Sequence, residues 1–277
     1  MVVGEMQGKR VLVTGAGTGI GRGIALGFAR AGADVVLHHS ASAEGAESAI
    51  EEITRFGGRA RAIGGDFRRV ESVRETAEAA CDFLGGIDVL VNNAGITTNY
   101  PLEEVTPEIF DTLFHVNVRA QFFLTQAVMP VMARQGKGAV INLTSVHAFA
   151  GMTEHTVYAA TKSAIVSFTR VAALELIQKG IRMNAIAPGW IFVENHRTTL
   201  GEDFDVEAAG KTIPAGFIGA PQDVADLTIY LASDASRYIV GQTIICDGGQ
   251  TLVLPLTGDF RSRRSEKWGR AYVGNTK

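Results

Sequence analysis

The sequence has few of the residues that characterise secreted, fibrous or membrane proteins. Two cysteines, Cys81 and Cys246, are too few for a disulfide framework and favour a reducing compartment. Seven prolines and the lack of a glycine triplet period exclude collagen-like and low-complexity chains. The start of the chain lacks a signal-peptide pattern, and no apolar run reaches the ~18 residues of a membrane span. We therefore expect a cytoplasmic protein without a membrane partner.

The net charge of −3 is also small, although the basic residues are concentrated at one end. Residues 251–277 hold six basic and two acidic side chains. A basic tail can bind nucleic acid, but six cations without regularly interleaved stacking aromatics are a weak signal. We expect a small-molecule partner and no nucleic acid.

Glycine, in contrast, is abundant, with 32 residues, and 46% of the chain is hydrophobic. Short β-branched runs at 11–14, 35–38, 61–64, 89–92, 139–144, 182–186 and 243–246 alternate with helical patterns near 20–31, 43–56, 70–84, 105–134, 157–179 and 222–232. This alternation predicts an α/β fold, a doubly wound Rossmann domain whose parallel sheet has seven strands and helices on both faces.

Two segments interrupt the alternation. Residues 193–219 are polar and glycine-rich and are a candidate lid within a domain spanning 1–252. Residues 253–277 form an extension that carries more apolar side chains than a solvated tail usually does. We expect this tail to pack on its own or a neighbouring subunit, although plain surface elaboration is the alternative for both segments.

A glycine-rich turn follows the first predicted strand and opens the first helix. Its sequence is TGAGTGIG at 14–21, with Gly15, Gly19 and Gly21 spaced differently from the commonest dinucleotide fingerprint. Glycines let the backbone approach a pyrophosphate, and the first N–H groups of the helix then face the phosphate charge. The turn predicts a dinucleotide cofactor.

Tyr158 and Lys162 lie four residues apart on one face of a predicted helix. A free phenol, with a pKa of about 10, is a poor base at neutral pH. A neighbouring ammonium and a cationic nicotinamide favour the phenolate, so we expect the pKa of Tyr158 to be lowered towards neutrality. The pair would then act as a general acid and base.

These motifs occur together in a particular order that resembles the short-chain dehydrogenase/reductase family over residues 8–250. Ser145 stands thirteen residues before Tyr158, as is usual in that family. The resemblance implies that Tyr158 transfers the substrate proton, Ser145 binds the reacting oxygen, Lys162 holds the nicotinamide ribose, and Asn117 helps hold a water chain. No metal is expected. The resemblance also suggests a homotetramer, or a homodimer, packed through helices.

The same resemblance implies a set of cofactor contacts. Asp66 would contact the adenine amino group, and Phe67 would cover the adenine ring. Asn93, Ala94 and Gly95 would line the adenosine side, and Pro188 and Gly189 would close over the nicotinamide near Ile191. The turn contacts would be Gly15, Thr18, Gly19, Ile20 and Gly21. The chain departs from the family at Val193, where threonine is common, which puts the grip on the carboxamide in doubt.

The choice between NAD and NADP depends on the end of the second strand. An acid there binds the ribose hydroxyls of NAD and repels a 2′-phosphate. This chain has His38, His39 and Ser40 instead, so nothing excludes the phosphate, and these groups can donate hydrogen bonds to it. We favour NADP, with NAD as the alternative.

The substrate pocket is expected to contain Ser145, His147, His155, Trp190 and Glu194. Several donors and acceptors with few apolar side chains favour a small polyhydroxylated compound. The segment from Ser145 to His147 resembles that of bacterial glucose dehydrogenases. We therefore predict NAD(P)-dependent interconversion of a secondary alcohol or hemiacetal and a carbonyl, on a sugar, polyol or sugar acid. The alternatives are a 3-oxoacyl-thioester or broad ketone reductase and, remotely, a non-catalytic NAD(P)-sensing regulator.

Overall fold

The protein builds one sheet of seven parallel strands, as the sequence predicts. The computed structural model describes residues 6–194, 196, 200–201, 203–253 and 261. The strands run in the order β3-β2-β1-β4-β5-β6-β7, and every pair is parallel. They are β1 (Arg10–Val13), β2 (Asp34–His39), β3 (Ala60–Gly64), β4 (Val89–Asn92), β5 (Gly138–Leu143), β6 (Ile181–Pro188) and β7 (Thr243–Cys246).

Helices connect the strands and cover both faces of the sheet. They are α1 (Gly19–Arg30), α2 (Ala43–Arg55), α3 (Val70–Leu84), α4 (Pro107–Phe114), α5 (Ala120–Gln135), α6 (Thr156–Ile177), α7 (Val206–Gly210) and α8 (Pro221–Ala232). The helix predicted over 105–134 is divided by a π-helical turn, His115–Arg119, between α4 and α5. None of the helices in the described ranges is long and apolar enough to cross a membrane.

The strands are continuous apolar runs because both of their faces are buried. In β1, Val11 and Val13 pack with α1 and α8 on one face, while Leu12 packs with α3 and α5 residues on the other. All three side chains are inaccessible to solvent. Burial on both faces is typical of a parallel sheet covered by helices.

The direction of strand order reverses between β1 and β4. The loops that leave these two strands therefore diverge and open a crevice at the carboxyl ends of the strands, where ligands bind in open α/β sheets. The glycine-rich turn follows β1, residues 93–95 follow β4, Ser145 follows β5 and the segment from 189 onward follows β6. The fold thus brings the predicted motifs to one edge.

The two segments that interrupt the alternation are described only in part. In the lid, 193–219, α7 begins where the Asp205 carboxylate accepts a hydrogen bond from the Ala208 N–H at 2.9 Å. The predicted packing of the tail, 253–277, lies outside the described residues except at 253 and 261. Arg261 donates a hydrogen bond to the carbonyl of Lys211, just after α7.

Candidate active site

The glycine-rich turn is anchored to the next strand of the sheet by Thr14. The Thr14 hydroxyl donates to the Val91 carbonyl at 3.2 Å and accepts from the backbone N–H groups of Asn93 and Ala94, each at 3.0 Å. Gly19, the first residue of α1, has a φ of +58°, a backbone conformation that side chains with a Cβ rarely adopt. The N-terminus of α1 therefore opens toward the crevice, as an anion site requires.

Asn93 supports this turn rather than facing a ligand. Its side-chain amide donates to the carbonyls of Thr14 at 2.9 Å and Gly15 at 3.0 Å. The predicted cofactor contact is thus restricted to the backbone of this segment, because the donor of the amide is already used. Ala94 is buried, whereas Gly95 is exposed at the crevice.

His38 and Phe67 differ from the sequence prediction in their placement. The His38 ring is buried beneath the turn, accepts from the Gly15 N–H through Nδ1 at 3.3 Å and donates from Nε2 to the Gly65 carbonyl at 3.1 Å. Phe67 is buried as well and stacks on this ring, with centroids 3.8 Å apart. Both side chains form part of the packing below the cofactor crevice, so we correct the contacts that were predicted for them. Desolvation lowers the pKa of His38 to about 4.

The end of β2 has a partly open surface. His39 is half-buried, and its Nδ1 is buried without a hydrogen-bond partner in the described part of the chain. Ser40 is exposed, whereas Ser42 approaches the turn so closely that a methyl group added to Gly17 would lie 2.1 Å from the Ser42 hydroxyl. Ser42, like Ser40, was considered as a donor to a 2′-phosphate, and the start of α2 brings it against the turn.

Asp66 follows β3 at the predicted adenine end of the crevice. Its carboxylate accepts hydrogen bonds from the backbone N–H of Arg68 at 3.0 Å and from the Arg68 guanidinium at 2.8 to 3.0 Å. These bonds to Arg68 lower the pKa of Asp66. The carboxylate is therefore ionised at neutral pH and retains acceptor capacity for an amino group.

Tyr158 and Lys162 lie on the first turns of α6, next to Ser145 at the end of β5. Lys162 is buried, and its Nζ donates to the Leu143 carbonyl at 3.0 Å. This nitrogen lies 5.5 Å from the centroid of the Tyr158 ring. A methyl group added to Gly95 would lie 3.4 Å from the same nitrogen, so the loop after β4 reaches the catalytic groups.

Asn117 is held in the centre of the π-helical turn. Its side-chain oxygen accepts from the Ile96 N–H at 2.8 Å, and its amide donates to the Ile96 carbonyl at 2.9 Å and to the Thr161 hydroxyl at 3.1 Å. Thr161 in turn donates to the Tyr158 carbonyl at 2.7 Å. These bonds join the loop after β4 to α6. A π turn inside a helix is frequently found at functional sites.

The pKa values of the pair differ from what the sequence predicts. Burial raises the pKa of Tyr158, while a hydrogen bond from Ser145 acts in the opposite direction. Burial lowers the pKa of Lys162 to about 8. The protein surroundings alone do not produce the lowered phenol pKa that we predicted, because burial destabilises the phenolate by more than the hydrogen bond from Ser145 stabilises it.

Two imidazoles flank Tyr158. The rings of His147 and His155 stack with centroids 5.1 Å apart, and they approach the edge or face of Tyr158 at 5.9 and 6.0 Å. The backbone N–H of His147 donates to the Ser145 hydroxyl oxygen at 3.2 Å. The structure thus brings both predicted substrate residues to the reacting groups.

The segment after β6 runs along the crevice. The Gly189 N–H donates to the Cys246 carbonyl at 2.9 Å, and the buried Ile191 pairs with Gly219 in a short parallel bridge. Trp190 packs against Phe204, with ring centroids 5.8 Å apart. Trp190 therefore connects the end of β6 to the lid.

Glu194, a predicted substrate contact, forms a hydrogen bond with the turn. Its carboxylate accepts a hydrogen bond from the Gly19 N–H at 3.0 Å, at the N-terminus of α1. Val193 lies beside it, and its Cγ1 would be 3.3 Å from a methyl group added to Gly19. The reason is electrostatic, since the N-terminus of a helix attracts a carboxylate.

No group of three or more His, Cys, Asp or Glu side chains within the described ranges is arranged to hold a metal ion. The chemistry that the described groups offer is proton transfer. A phenol, an ammonium and a hydroxyl lie at the same edge of the sheet as the N-terminus of α1, where the Glu194 carboxylate accepts from the Gly19 N–H. This arrangement can hold an anionic cofactor and move a proton at an adjacent oxygen.

Comparison with known proteins gives a consistent family. The family model described as enoyl-(acyl carrier protein) reductase matches residues 15–251. A curated relative, L-rhamnose 1-dehydrogenase (NAD(P)(+)) of Sphingomonas sp. (strain SKA58), is 36% identical over 245 residues, covering 88% of this chain and 96% of that protein. A 3-oxoacyl-[acyl-carrier-protein] reductase of Staphylococcus epidermidis is 39% identical over 241 residues, covering 87% of this chain and 98% of that protein.

Solved structures show the same likeness. A short-chain alcohol dehydrogenase of Sinorhizobium meliloti 1021, itself a provisional assignment, has a TM-score of 0.83 and 36% identity, covering 90% of this chain and 98% of that chain. A proposed NAD(P)-dependent gluconate 5-dehydrogenase of Beutenbergia cavernae, with NADP bound at low occupancy, has a TM-score of 0.82 and 36% identity. That alignment covers 89% of this chain and 98% of the other.

Proposed function

Because the chain belongs to the short-chain dehydrogenase/reductase family of NAD(P)-dependent oxidoreductases, we propose that it oxidises a sugar or polyol reversibly at a hydroxyl carbon. The observation that carries this proposal is the convergence of Tyr158, Ser145 and Lys162 with two imidazoles at one edge of the sheet. The first three groups define the reaction. The imidazoles favour a substrate with several hydroxyl groups.

The role of each catalytic side chain follows from its partners. Tyr158 removes the hydroxyl proton of the substrate during oxidation and returns it during reduction. Ser145, which is hydrogen-bonded to Tyr158, holds the reacting oxygen. Lys162, whose ammonium is buried beside the phenol, stabilises the phenolate. Asn117 positions the loop after β4 against α6.

The residues at the turn fit a nicotinamide dinucleotide. The N-terminus of α1 presents backbone donors for a pyrophosphate, and side chains larger than hydrogen are excluded at Gly17, where Ser42 approaches. Asp66 offers an acceptor for the adenine amino group. When bound, the nicotinamide ring supplies the hydride acceptor for oxidation and the hydride donor for reduction.

NADP is our preferred cofactor, with NAD as a second one. The end of β2 has no carboxylate, and His39, Ser40 and Ser42 offer donors for a 2′-phosphate. The relative described as an L-rhamnose dehydrogenase is named for both cofactors, and the proposed gluconate dehydrogenase structure contains NADP. Both observations support the choice for this chain.

An initial-rate assay tests the function. The purified protein is mixed with NADP or NAD and a panel of aldoses, polyols and sugar acids that includes L-rhamnose, D-glucose and gluconate. Reduced cofactor is followed by its absorbance. We expect turnover of at least one neutral sugar with NADP. Lack of turnover across the sugar panel, with rapid reduction of an acetoacetyl thioester, would show that the substrate class is different.

The second candidate function is reduction of 3-oxoacyl thioesters or of ketones broadly. It is supported by the 39% identity with the Staphylococcus epidermidis reductase over nearly its whole length. The same catalytic groups serve both reactions, so the distinction lies in the pocket. A fatty acyl chain requires an apolar wall, whereas His147 and His155 place polar atoms next to Tyr158.

We also propose that the protein assembles as a homotetramer, or as a homodimer, in the cytoplasm. The outer faces of α5 and α6 support the assembly, since Phe122, Val171 and Leu174 are exposed at 45%, 60% and 66%. The unpaired thiols of Cys81 and Cys246 support a reducing compartment. Sedimentation velocity should give a multimer, and Leu174→Glu should reduce its size.

A further inference from the structure

His155 immediately precedes α6, and the protonation of one of its ring nitrogens follows from its hydrogen-bond partner. The ring is 7% exposed, and Nδ1 lies 2.9 Å from the Thr153 carbonyl oxygen. A carbonyl can only accept, so Nδ1 carries the hydrogen and donates it. In the neutral ring, Nε2 then holds the lone pair. No hydrogen bond to Nε2 occurs in the described part of the chain.

The backbone around His155 is held in an unusual conformation. Glu154 has a φ of +66°, and among the described residues it is the only one other than glycine with a positive φ. Its carbonyl accepts a hydrogen bond from the Tyr100 N–H at 3.1 Å. Strain of this kind persists where the surrounding structure fixes it, and it is concentrated at functional sites. The next residue is His155, whose ring centroid lies 6.0 Å from that of Tyr158.

The ring of His147 stacks on the ring of His155, and its centroid lies 5.9 Å from that of Tyr158. Its Nδ1 is buried and lacks a hydrogen-bond partner in the described part of the chain. Burial and the neighbouring His155 both lower the pKa of His147, with the Ala150 carbonyl opposing them. Two stacked rings cannot both be protonated without repulsion. The lowered pKa favours a neutral His147 beside Tyr158.

These observations concern how His155 could recognise a hydroxyl group of the substrate. We infer that Nε2 of His155 accepts a hydrogen bond from a hydroxyl on the carbon next to the reacting carbon, so the substrate carries a hydroxyl at that position. This inference rests on the proposed function and narrows it. A methylene group at that position would leave the nitrogen unpaired, which costs binding.

A matched pair of substrates tests the inference. The value of kcat/KM is measured for the aldose that the wild type oxidises best and for its 2-deoxy analogue. We expect the wild type to prefer the hydroxylated sugar by about 100-fold or more. His155→Phe keeps a ring but has no acceptor, so it should lower kcat/KM for the sugar to within about threefold of the deoxy value, which itself should change little.

A second variant distinguishes the loss of the hydrogen-bond acceptor from a general loss of structure. His155→Gln places an amide oxygen near the position of Nε2 and should restore at least part of the preference for the hydroxylated sugar. The ratio of the two substrates is internal to each variant, so a general loss of activity does not change it. Equal losses of kcat/KM on both substrates in His155→Phe would overturn the inference. Equal kcat/KM values of the wild type for the two substrates would also overturn it.

A reductive assay separates this inference from the proposed function. If none of the sugars is oxidised, the proposed function fails, and the subsite is tested with hydroxyacetone and acetone in the presence of reduced cofactor. A preference for hydroxyacetone that His155→Phe removes would support the subsite on a different substrate class. Equal reduction of both ketones by the wild type, or a preference that survives in His155→Phe, would refute it.

Discussion

The two ends of the crevice are built differently. At the catalytic end, Lys162, Asn117 and Thr161 are buried, and each has hydrogen-bond partners on neighbouring elements. At the ribose end, after β2, Ser40 is exposed and a nitrogen of His39 is buried without a partner in the described part of the chain. Lys162, Asn117 and Thr161 are thus fixed by internal bonds, whereas at the ribose end the exposed Ser40 hydroxyl is left for a ligand.

This difference shows where the molecule tolerates change. A buried polar group that loses its partner costs the desolvation energy of the orphaned atom, about 1–3 kcal/mol. The catalytic end therefore couples function to stability. The ribose end lacks such a network, so one charge placed there should alter cofactor choice with little effect on folding. Four substitutions test this contrast, beginning with the largest expected effect.

Tyr158→Phe removes the proton-transfer group and keeps the ring. We expect kcat to fall by about 10³-fold or more, while the dissociation constant of the cofactor changes by less than about threefold. Cofactor binding is followed by fluorescence titration. Tyr238→Phe, at a side chain that is 99% exposed, is the matched control and should behave as the wild type. A variant that keeps a tenth of the wild-type kcat would refute the assigned role.

Lys162→Met separates function from stability at the catalytic end. Activity should fall by about 10²–10³-fold, because the phenolate loses its cation. The folded-state pKa of Lys162 is about 8, below the value of 10.5 in the unfolded chain, so the unfolded state binds more protons between these pH values. Wild-type stability should therefore rise by up to about 3 kcal/mol from pH 8 to 10.5, and this rise should be smaller in the variant.

The measurement is urea unfolding of both proteins across that pH range. Lys179→Met, at an exposed position, serves as the control and should retain the wild-type pH dependence. If Lys162→Met shows the same rise in stability as the wild type, the titrating group is elsewhere, and the buried ammonium has been misassigned.

His39→Asp tests the ribose end. A carboxylate there should repel a 2′-phosphate and accept hydrogen bonds from the ribose hydroxyls of NAD. We expect the ratio of kcat/KM for NADP over NAD to fall by about 10-fold or more, with a melting temperature within about 2 °C of the wild type. His39→Asn, without the charge, should change the ratio much less. An unchanged ratio in the Asp variant would place the ribose elsewhere.

Glu194→Gln gives the smallest expected effect. The Glu194 carboxylate accepts a hydrogen bond from the Gly19 N–H at the N-terminus of α1, where a pyrophosphate would bind. Removing its charge should tighten cofactor binding by about two- to fivefold, as expected for one charge at a helix terminus. Calorimetric titration at low salt measures this change, with Glu207→Gln in α7 as the control. Weaker binding in the Gln variant would mean that Glu194 assists the cofactor instead.

The sequence predicted the catalytic groups better than their surroundings. Tyr158 and Lys162 are four residues apart on a helix, a local relation that helical geometry converts directly into proximity. Ser145 follows a strand that is recognisable by its apolar run. The seven parallel strands were also predicted from the βαβ alternation, and the observed strand limits differ from the predicted ones by at most two residues.

Other predictions depended on contacts between distant segments and were corrected. His38 and Phe67 stack beneath the turn because β2 and the loop after β3 pack together, a relation that spacing does not encode. Glu194 is 175 residues from Gly19, the residue whose N–H donates a hydrogen bond to its carboxylate. The raised pKa of Tyr158 also reflects burial, which depends on the packing of several elements.

The alternation of strands and helices, the nucleotide-binding turn and the identity of the proton-transfer groups could all be predicted from the amino-acid sequence alone. These features arise from periodicity and from short spacings, which act within one helix or one turn. The folded structure was needed to show which predicted ligand contacts are internal supports, and how close the rings of His147 and His155 lie to Tyr158. The physical reason is that burial and hydrogen-bond partners are set by segments that meet only when the chain folds.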